Sequence, residues 1–396
     1  MGSPRRVRVL QDAETTGKTV LVRVDYNVPL DGNTIQDDAR IRSSLPTLQY
    51  LIDSGAKLVL ATHLGRPDGK AVEALRLDPV SARLNELLAR PVEKLPDCVG
   101  ESVASTIRDG APGDVFLLEN VRFHAGEEAN DPGFAEALAS SSDVFVNDAF
   151  ATIHRAHAST LGVTAHLPSF AGLLVQRELE TLSRLVERPA RPYVAIVGGK
   201  KASSKLGPLR DLIPRVDAIL IGGGVAFTFL RAMGASVGES VVQADALDEA
   251  AEIARLAKEA RVEVLLPIDA IVASELSPDA QTKVADAREI PEGLSGFDIG
   301  PATAVAFAER IAAAKTIVWT GPMGAFEVGP FGEGTLAVAR AVASSEAFSV
   351  IGGGETGEAI ARFGLADEVS YVSTGGGACL AVLRGKQLPA LEALRG

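Results

Sequence analysis

Cysteine is almost missing from this sequence: Cys98 and Cys379 are the only two in 396 residues. A pair so widely separated excludes a disulfide framework and fits a reducing compartment. Neither cysteine has a base near it in sequence, and no Gly-x-Ser-x-Gly turn occurs, so a covalent serine or cysteine nucleophile has no support. Basic charge is also in short supply, with 39 Lys and Arg against 51 Asp and Glu for a net −12. Phosphate backbones are bound by clustered cations, so a broad nucleic-acid face is excluded. Long apolar runs are lacking too. The longest uncharged stretch, residues 156–176, is interrupted by His157, His166, Pro168 and Ser169 and reads as loop and core rather than a bilayer span. Arg5 and Arg6 lead into Val7-Arg8-Val9-Leu10-Gln11-Asp12, too polar for the core of a secretion signal. A cytoplasmic protein with neither membrane nor nucleic-acid partners is expected.

What is present is an ordinary globular composition, 46% hydrophobic and 23% charged, at a length that suggests two domains with a core each. Short β-branched runs alternate with longer segments of helical spacing, the pattern of parallel sheets built from β-α-β units. The runs are 19–24, 57–61, 114–118 and 143–146 in the first half, then 193–197, 218–221, 262–266, 316–319, 348–351 and 369–372. Their continuous apolar character marks strands buried on both faces. The expected fold is α/β, two domains that are each a parallel sheet flanked by helices, with a cleft between them. Asp78-Pro79 and Asp131-Pro132 each set an acceptor before a proline at a helix start. Gly55 closes the helix containing Leu45, Leu48, Leu51 and Ile52. Near the midpoint, residues 174–188 carry Leu179, Leu182, Leu185 and Val186 at helical spacing and read as the helix joining the domains. The expected division is 1–172, completed by the tail 384–396; the helix and hinge 173–190; and 191–383.

In open parallel sheets ligands bind beyond the carboxyl ends of the strands. In the first half those ends run into Asp25 and Asn27; His63, Arg66 and Asp68; Asn120, Arg122 and His124; and Asn147 and Asp148, then His154, Arg155 and His157. With Arg40, four guanidiniums fall near strand ends, and their planar forks suit carboxylate or phosphate. A small-anion site is expected there. The second half uses glycine: Gly198-Gly199, Gly222-Gly223-Gly224, Gly321-Pro322, Gly352-Gly353-Gly354 and Gly375-Gly376-Gly377 each follow a strand. Glycine lets the backbone approach a phosphate, and helix-start N–H groups bind anions. Lys200, Lys201 and Lys205 follow Gly199, with Lys201 and Lys205 expected on one helix face, where polyphosphate would neutralise them. The P-loop, dinucleotide and protein-kinase signatures are all lacking. The histidines show no His-x-x-x-His pair and no cysteine cluster, so magnesium brought by a nucleotide is favoured over a zinc site.

Together these stretches carry a signature: Arg23-Val24-Asp25-Tyr26-Asn27-Val28-Pro29, His63-Leu64-Gly65-Arg66-Pro67, Glu119-Asn120-Val121-Arg122-Phe123 and His154-Arg155-Ala156-His157. The second half adds Asp298-Ile299-Gly300-Pro301, Trp319-Thr320-Gly321-Pro322-Met323-Gly324 and Ser373-Thr374-Gly375-Gly376-Gly377. From end to end the chain resembles the phosphoglycerate kinase family. The resemblance implies that Asp25, Asn27, Arg40, His63, Arg66, Arg122 and Arg155 bind 3-phosphoglycerate. It places Mg-ADP or Mg-ATP on Lys201, Lys205, Gly222, Gly223, Pro322, Glu327, Gly352, Gly353, Gly354, Glu355 and Thr356, with Glu327 on the ribose and Glu355 toward the metal. Arg40, Lys201 and Gly354 would serve the in-line transfer that interconverts 1,3-bisphosphoglycerate with ADP and 3-phosphoglycerate with ATP. Closure of the cleft and a monomeric state are implied in the same way.

Four positions depart from the family pattern. Glu355 stands where aspartate is usual, a reach longer by about 1.5 Å. Thr320 replaces asparagine, Lys200 a small apolar residue and Ser204 an aspartate. Because Arg40, Lys201 and Lys205 are all retained, an active enzyme is expected. The alternatives are a non-catalytic binding relative and another kinase that forms acyl phosphates.

Overall fold

The computed structural model describes residues 6–395. The chain divides into two compact units: residues up to Glu180 together with those from Gln387 on, and Thr181–Lys386. The division falls inside one helix, Leu173–Val186.

The first unit is built on a six-stranded parallel sheet. Its strands are β1 (Thr19–Arg23), β2 (Lys57–Ala61), β3 (Val92–Lys94), β4 (Val115–Leu117), β5 (Val144–Asn147) and β6 (Ser169–Ala171). They lie in the order β3-β4-β2-β1-β5-β6. The central strands are apolar on both faces because helices cover both. Val20, Val22, Leu58 and Leu60 pack with Ile41, Leu48 and Leu84 on one side, and Leu21, Val59 and Phe145 with Val103, Ile107 and Leu138 on the other. From β1 the chain winds outward through β2, then returns to add β5 on the opposite side. The strand order therefore reverses between β1 and β5, the kind of position beyond which open α/β sheets bind ligands. The last described residues belong to this unit: Val7 bridges Arg395, and Arg8 N–H donates to the Leu394 carbonyl at 2.8 Å.

The second unit repeats the plan. Strands β7 (Tyr193–Val197), β8 (Ala218–Ile221), β9 (Glu263–Leu265), β10 (Thr316–Thr320), β11 (Phe348–Ile351) and β12 (Tyr371–Val372) form a parallel sheet in the order β9-β8-β7-β10-β11-β12. Its switch point lies between β7 and β10, where Gly198-Gly199 and Gly321-Pro322 follow. Fully buried Trp319 anchors this end of β10, its indole N–H donating to the Gly321 carbonyl at 2.8 Å. An antiparallel sheet of Lys283–Asp286, Asp269–Ala273 and Ser295–Ile299 is added to this unit.

Several local expectations change. Asp131 does cap its helix, accepting from Phe134 N–H at 2.8 Å. Asp78, by contrast, is the first residue of Asp78–Leu88 and caps nothing; its carboxylate pairs with Lys94 at 3.1 Å. The helix after Lys201 starts only at Ser203, with Ala202 as its N-cap, so Lys205 lies in its first turn and Lys201 in the preceding loop. Short edge strands β3 and β6 and the antiparallel sheet were not expected from the apolar runs.

Candidate active site

Beyond its strand ends the first unit carries a layered charge network. Arg23, at the end of β1, is fully buried, and its guanidinium donates to the Val24 carbonyl, to Ser159 Oγ at 2.8 Å and to His63 Nδ1 at 3.2 Å. The Ser159 hydroxyl in turn donates to buried Glu127 at 2.6 Å. A buried charge needs such a partner, and Glu127 supplies it through the serine. Glu127 is held below the usual carboxylate range despite burial, by His157, Arg23 and Ser159.

Because an arginine only donates, Nδ1 of His63 must accept, which leaves the proton on Nε2. Burial holds His63 well below its ordinary pKa, and the charges of Arg23, Arg122, Arg155 and Arg40 add to the effect. His63 is thus a neutral donor through Nε2 inside a cationic cluster. Asp25 lies against the same ring at 3.7 Å and takes a 2.6 Å hydrogen bond from Arg40, which extends from the start of the helix Ala39–Asp53. Asn27 accepts from Gly65 N–H at 2.8 Å, and Arg122 donates to the Gly65 carbonyl at 2.8 Å. The carboxamide of Asn120 holds both strands of this loop, taking Leu64 N–H and donating to the Leu64 and Leu75 carbonyls. Asp25, Asn27, Arg40, His63 and Arg122 are therefore joined through direct contacts or through Gly65, and Arg155 joins them through its field. Arg66 is exposed and, among the described residues, neither Arg66 nor Arg155 has a carboxylate partner. The cluster carries surplus positive charge, the condition for capturing a small anion.

Two strand-end residues do not join it. Asp148 is fully buried and turned toward the next helix, taking Leu174 N–H at 3.0 Å, and burial pushes its carboxyl up to about 7. His124 faces Asp97 instead, at 2.6 Å. Sequence reasoning missed the supporting group Arg23, Glu127 and Ser159; the signal was an arginine inside an otherwise apolar strand.

In the second unit the glycines interlock. A Cβ on Gly198 would lie 2.1 Å from the Pro322 carbonyl oxygen, one on Gly321 2.1 Å from that of Gly198, and one on Gly353 2.2 Å from that of Ser373. These glycines let neighbouring turns touch backbone to backbone. Gly354 differs: its φ is +83° and the space where a Cβ would stand is open. It opens the helix Glu355–Arg362, whose first N–H groups have no helical acceptor. Around this turn Lys205 donates to Thr320 Oγ1 at 3.1 Å, and a Cβ on Gly199 would stand 3.9 Å from Lys205 Cε and 4.0 Å from Glu355 Oε2. Burial lowers the Lys205 pKa, and Glu355 opposes that shift. Thr356 Oγ1 takes Gly321 N–H at 2.6 Å, tying the turn to β10. Gly222, Gly223 and Pro322 pack in this floor, Gly223 N–H donating to Met323 and Gly199 N–H to Pro322. Lys200, Lys201, Ser204 and Glu327 are exposed.

A buried neutral imidazole among arginines on one parallel sheet, and an open helix start beside a desolvated lysine on another, are the parts of an α/β phosphotransferase. A family model described as phosphoglycerate kinase matches residues 10–386. The phosphoglycerate kinase of Dictyoglomus turgidum is 51% identical over 387 residues, covering 98% of each chain. That of Moorella thermoacetica is 50% identical over 385 residues, 97% of this chain and 98% of its own. Among solved structures, phosphoglycerate kinase from Coxiella burnetii superposes with a TM-score of 0.85 at 42% identity, over 98% of this chain and 99% of that one. The Pyrococcus horikoshii enzyme gives 0.88 at 34% identity, over 98% of each. The chain belongs to the phosphoglycerate kinase family, kinases whose role is glycolytic phosphoryl transfer.

Proposed function

We propose that this chain transfers a phosphoryl group between the carboxylate of 3-phosphoglycerate and ADP through the residues described above. The observation that carries the assignment is the uncompensated positive charge around His63. Arg66, Arg122 and Arg155 would hold the substrate phosphate, while His63 Nε2–H, Asn27 and Asp25 orient its carboxylate end. Arg40 stands at the edge of the cluster, with its guanidinium fixed by Asp25. Its charge would stabilise the equatorial oxygens of the migrating group, together with Lys201 and the backbone of Gly354.

The nucleotide phosphates are assigned to the floor of Gly222, Gly223, Pro322, Gly352, Gly353 and Gly354, with Lys205 and Thr356 beside them and Glu327 at the ribose. The donor set suits magnesium: Glu355 is an exposed carboxylate at the open helix start, and a hard cation of this kind is held by one or two carboxylates plus phosphate oxygens. When bound, the ion would neutralise phosphate charge. Reacting atoms must approach to about 3–3.5 Å, so the two units close during turnover, with residues 173–190 as the hinge. A cytoplasmic monomer is part of this proposal; separately, among the described residues no helix is long and apolar enough to cross a membrane.

The test is ATP-dependent phosphorylation of 3-phosphoglycerate with Mg²⁺, followed by reduction of the acyl phosphate. Arg40→Ala and Lys201→Ala should each lower kcat by roughly 10²- to 10³-fold. Nucleotide binding without turnover in the native protein would instead make it a binding relative.

A further inference from the structure

Three donors of the kind that ligate zinc-class metals converge in the first unit, His124 lying two residues beyond Arg122 of the His63 cluster. Asp97 and Cys98 lie between β3 and the helix Glu101–Asp109, and His124 follows the turn Val121–Phe123. One donor atom from each lies within 4.8 Å of the other two. His124 Nε2 is 2.6 Å from Asp97 Oδ1, and its ring stacks on Phe134 with centroids 4.8 Å apart. Cys98 is buried in the core beside Val103, Ile107 and Phe116, with its thiol donating to the Glu119 carbonyl at 2.9 Å. Packing therefore holds two of the three donors, and Asp97, 53% exposed, opens the third side to solvent.

We propose that Asp97, Cys98 and His124 form a binding site for a zinc-class divalent cation, with water as its fourth ligand. Carboxylate, thiolate and imidazole are the donors such an ion takes, and the thiolate separates this site from one built for magnesium. With bonds of about 2.0 to 2.3 Å, donors in a tetrahedron stand roughly 3.3 to 3.8 Å apart. To reach that, His124 and Asp97 part from 2.6 Å, any pair as far apart as 4.8 Å draws together, and the thiol leaves the Glu119 carbonyl. On binding, the thiol proton passes to solvent and the imidazole proton moves from Nε2 to Nδ1, which frees Nε2 for the metal. Burial, then the charges of Asp97, Glu119 and Glu127, raise the Cys98 thiol well above its ordinary pKa, so the ion must displace the thiol proton. Nothing in the spacing along the chain announces the site, because His124 lies on a separate loop.

Titration of the metal-free full chain with Co²⁺ tests the proposal. The expected result is a sulfur-to-cobalt charge-transfer band in the near ultraviolet with strong visible bands of four-coordinate cobalt, both removed by Zn²⁺. Cys98→Ser should lose the charge-transfer band, Cys379→Ser should keep it, and Asp97→Ala and His124→Ala should weaken cobalt binding at least about tenfold. Absence of the band, its survival in Cys98→Ser, or its loss in Cys379→Ser overturns the site. Should Cys98→Ser not fold, unchanged cobalt affinity in Asp97→Ala or His124→Ala overturns it equally.

Discussion

His63 illustrates how one residue can be set by its neighbours. Burial and four guanidiniums hold its pKa well below 6.5 in the folded state, while the unfolded chain protonates normally. The unfolded state therefore binds more protons as the pH falls below about 6.5, and the folded state loses stability in that direction. The contribution is fully present above that pH and fades below it, at no more than ~1.4 kcal/mol per pH unit. Urea midpoints from pH 7.5 to 5.5 should fall less steeply in His63→Gln than in the native protein; parallel slopes would refute the assignment. Beneath it, Glu127 is the only carboxylate hydrogen-bonded, through Ser159, to buried Arg23 among the described residues. Glu127→Gln removes the carboxylate that acts most strongly on that guanidinium and should cost about 3 kcal/mol in chemical denaturation. Sequence marked His63 because it ends a strand. It did not mark Glu127, which lies in the four-residue helix Ala125–Glu128 and reaches Arg23 only through the tertiary fold.

At the scale of elements, the glycine turns separate into two kinds that look alike in sequence. Ile-Gly-Gly-Gly occurs at both Ile221 and Ile351, yet most of these glycines are fixed by backbone crowding and only Gly354 combines a left-handed φ with open space. Gly198→Ala and Gly353→Ala drive a Cβ into a carbonyl oxygen and should lower Tm by several degrees. Gly354→Ala meets only conformational strain of about 1–3 kcal/mol at a helix start, and should weaken nucleotide binding out of proportion to its Tm change. Equal ratios of Tm loss to affinity loss in all three would contradict this division. A second element-level device is Asp148, which supports the first turn of Leu173–Val186 through Leu174 N–H while Gly172 leaves room for its carboxylate. With its pKa raised to about 7, the folded state holds a proton that the unfolded state has lost above about pH 4. The cost of ionising it grows from there to pH 7 and is constant above. Asp148→Asn should consequently gain stability relative to the native protein as pH rises from 5 to 7, the reverse slope to His63→Gln. The strands were legible where apolar runs are buried on both faces, as in β2, β7, β8 and β11, whose bounds match the runs residue for residue. Edge strands β3 and β6 were not, since three residues are too few to leave a run to read.

At the scale of the molecule, the chain's order and its units do not coincide. Residues from Gln387 on return to the first unit, where Leu388, Leu391 and Leu394 are buried and Arg8 N–H is bonded to the Leu394 carbonyl. Three buried leucines contribute roughly 1.5–3 kcal/mol each, a large share of what typically stabilises a domain. The substrate residues proposed on the first unit should therefore depend on a segment far from all of them in sequence, and the nucleotide residues on the second should not. A chain ending at Lys386 should lose most of its affinity for 3-phosphoglycerate by calorimetry and show an early unfolding transition, while its Kd for Mg-ATP changes by less than about threefold. Equal weakening for both ligands would mean that the tail stabilises the whole chain rather than one unit. Retention of 3-phosphoglycerate binding would mean that the sheet of the first unit holds the arginine cluster without the leucines that cover it.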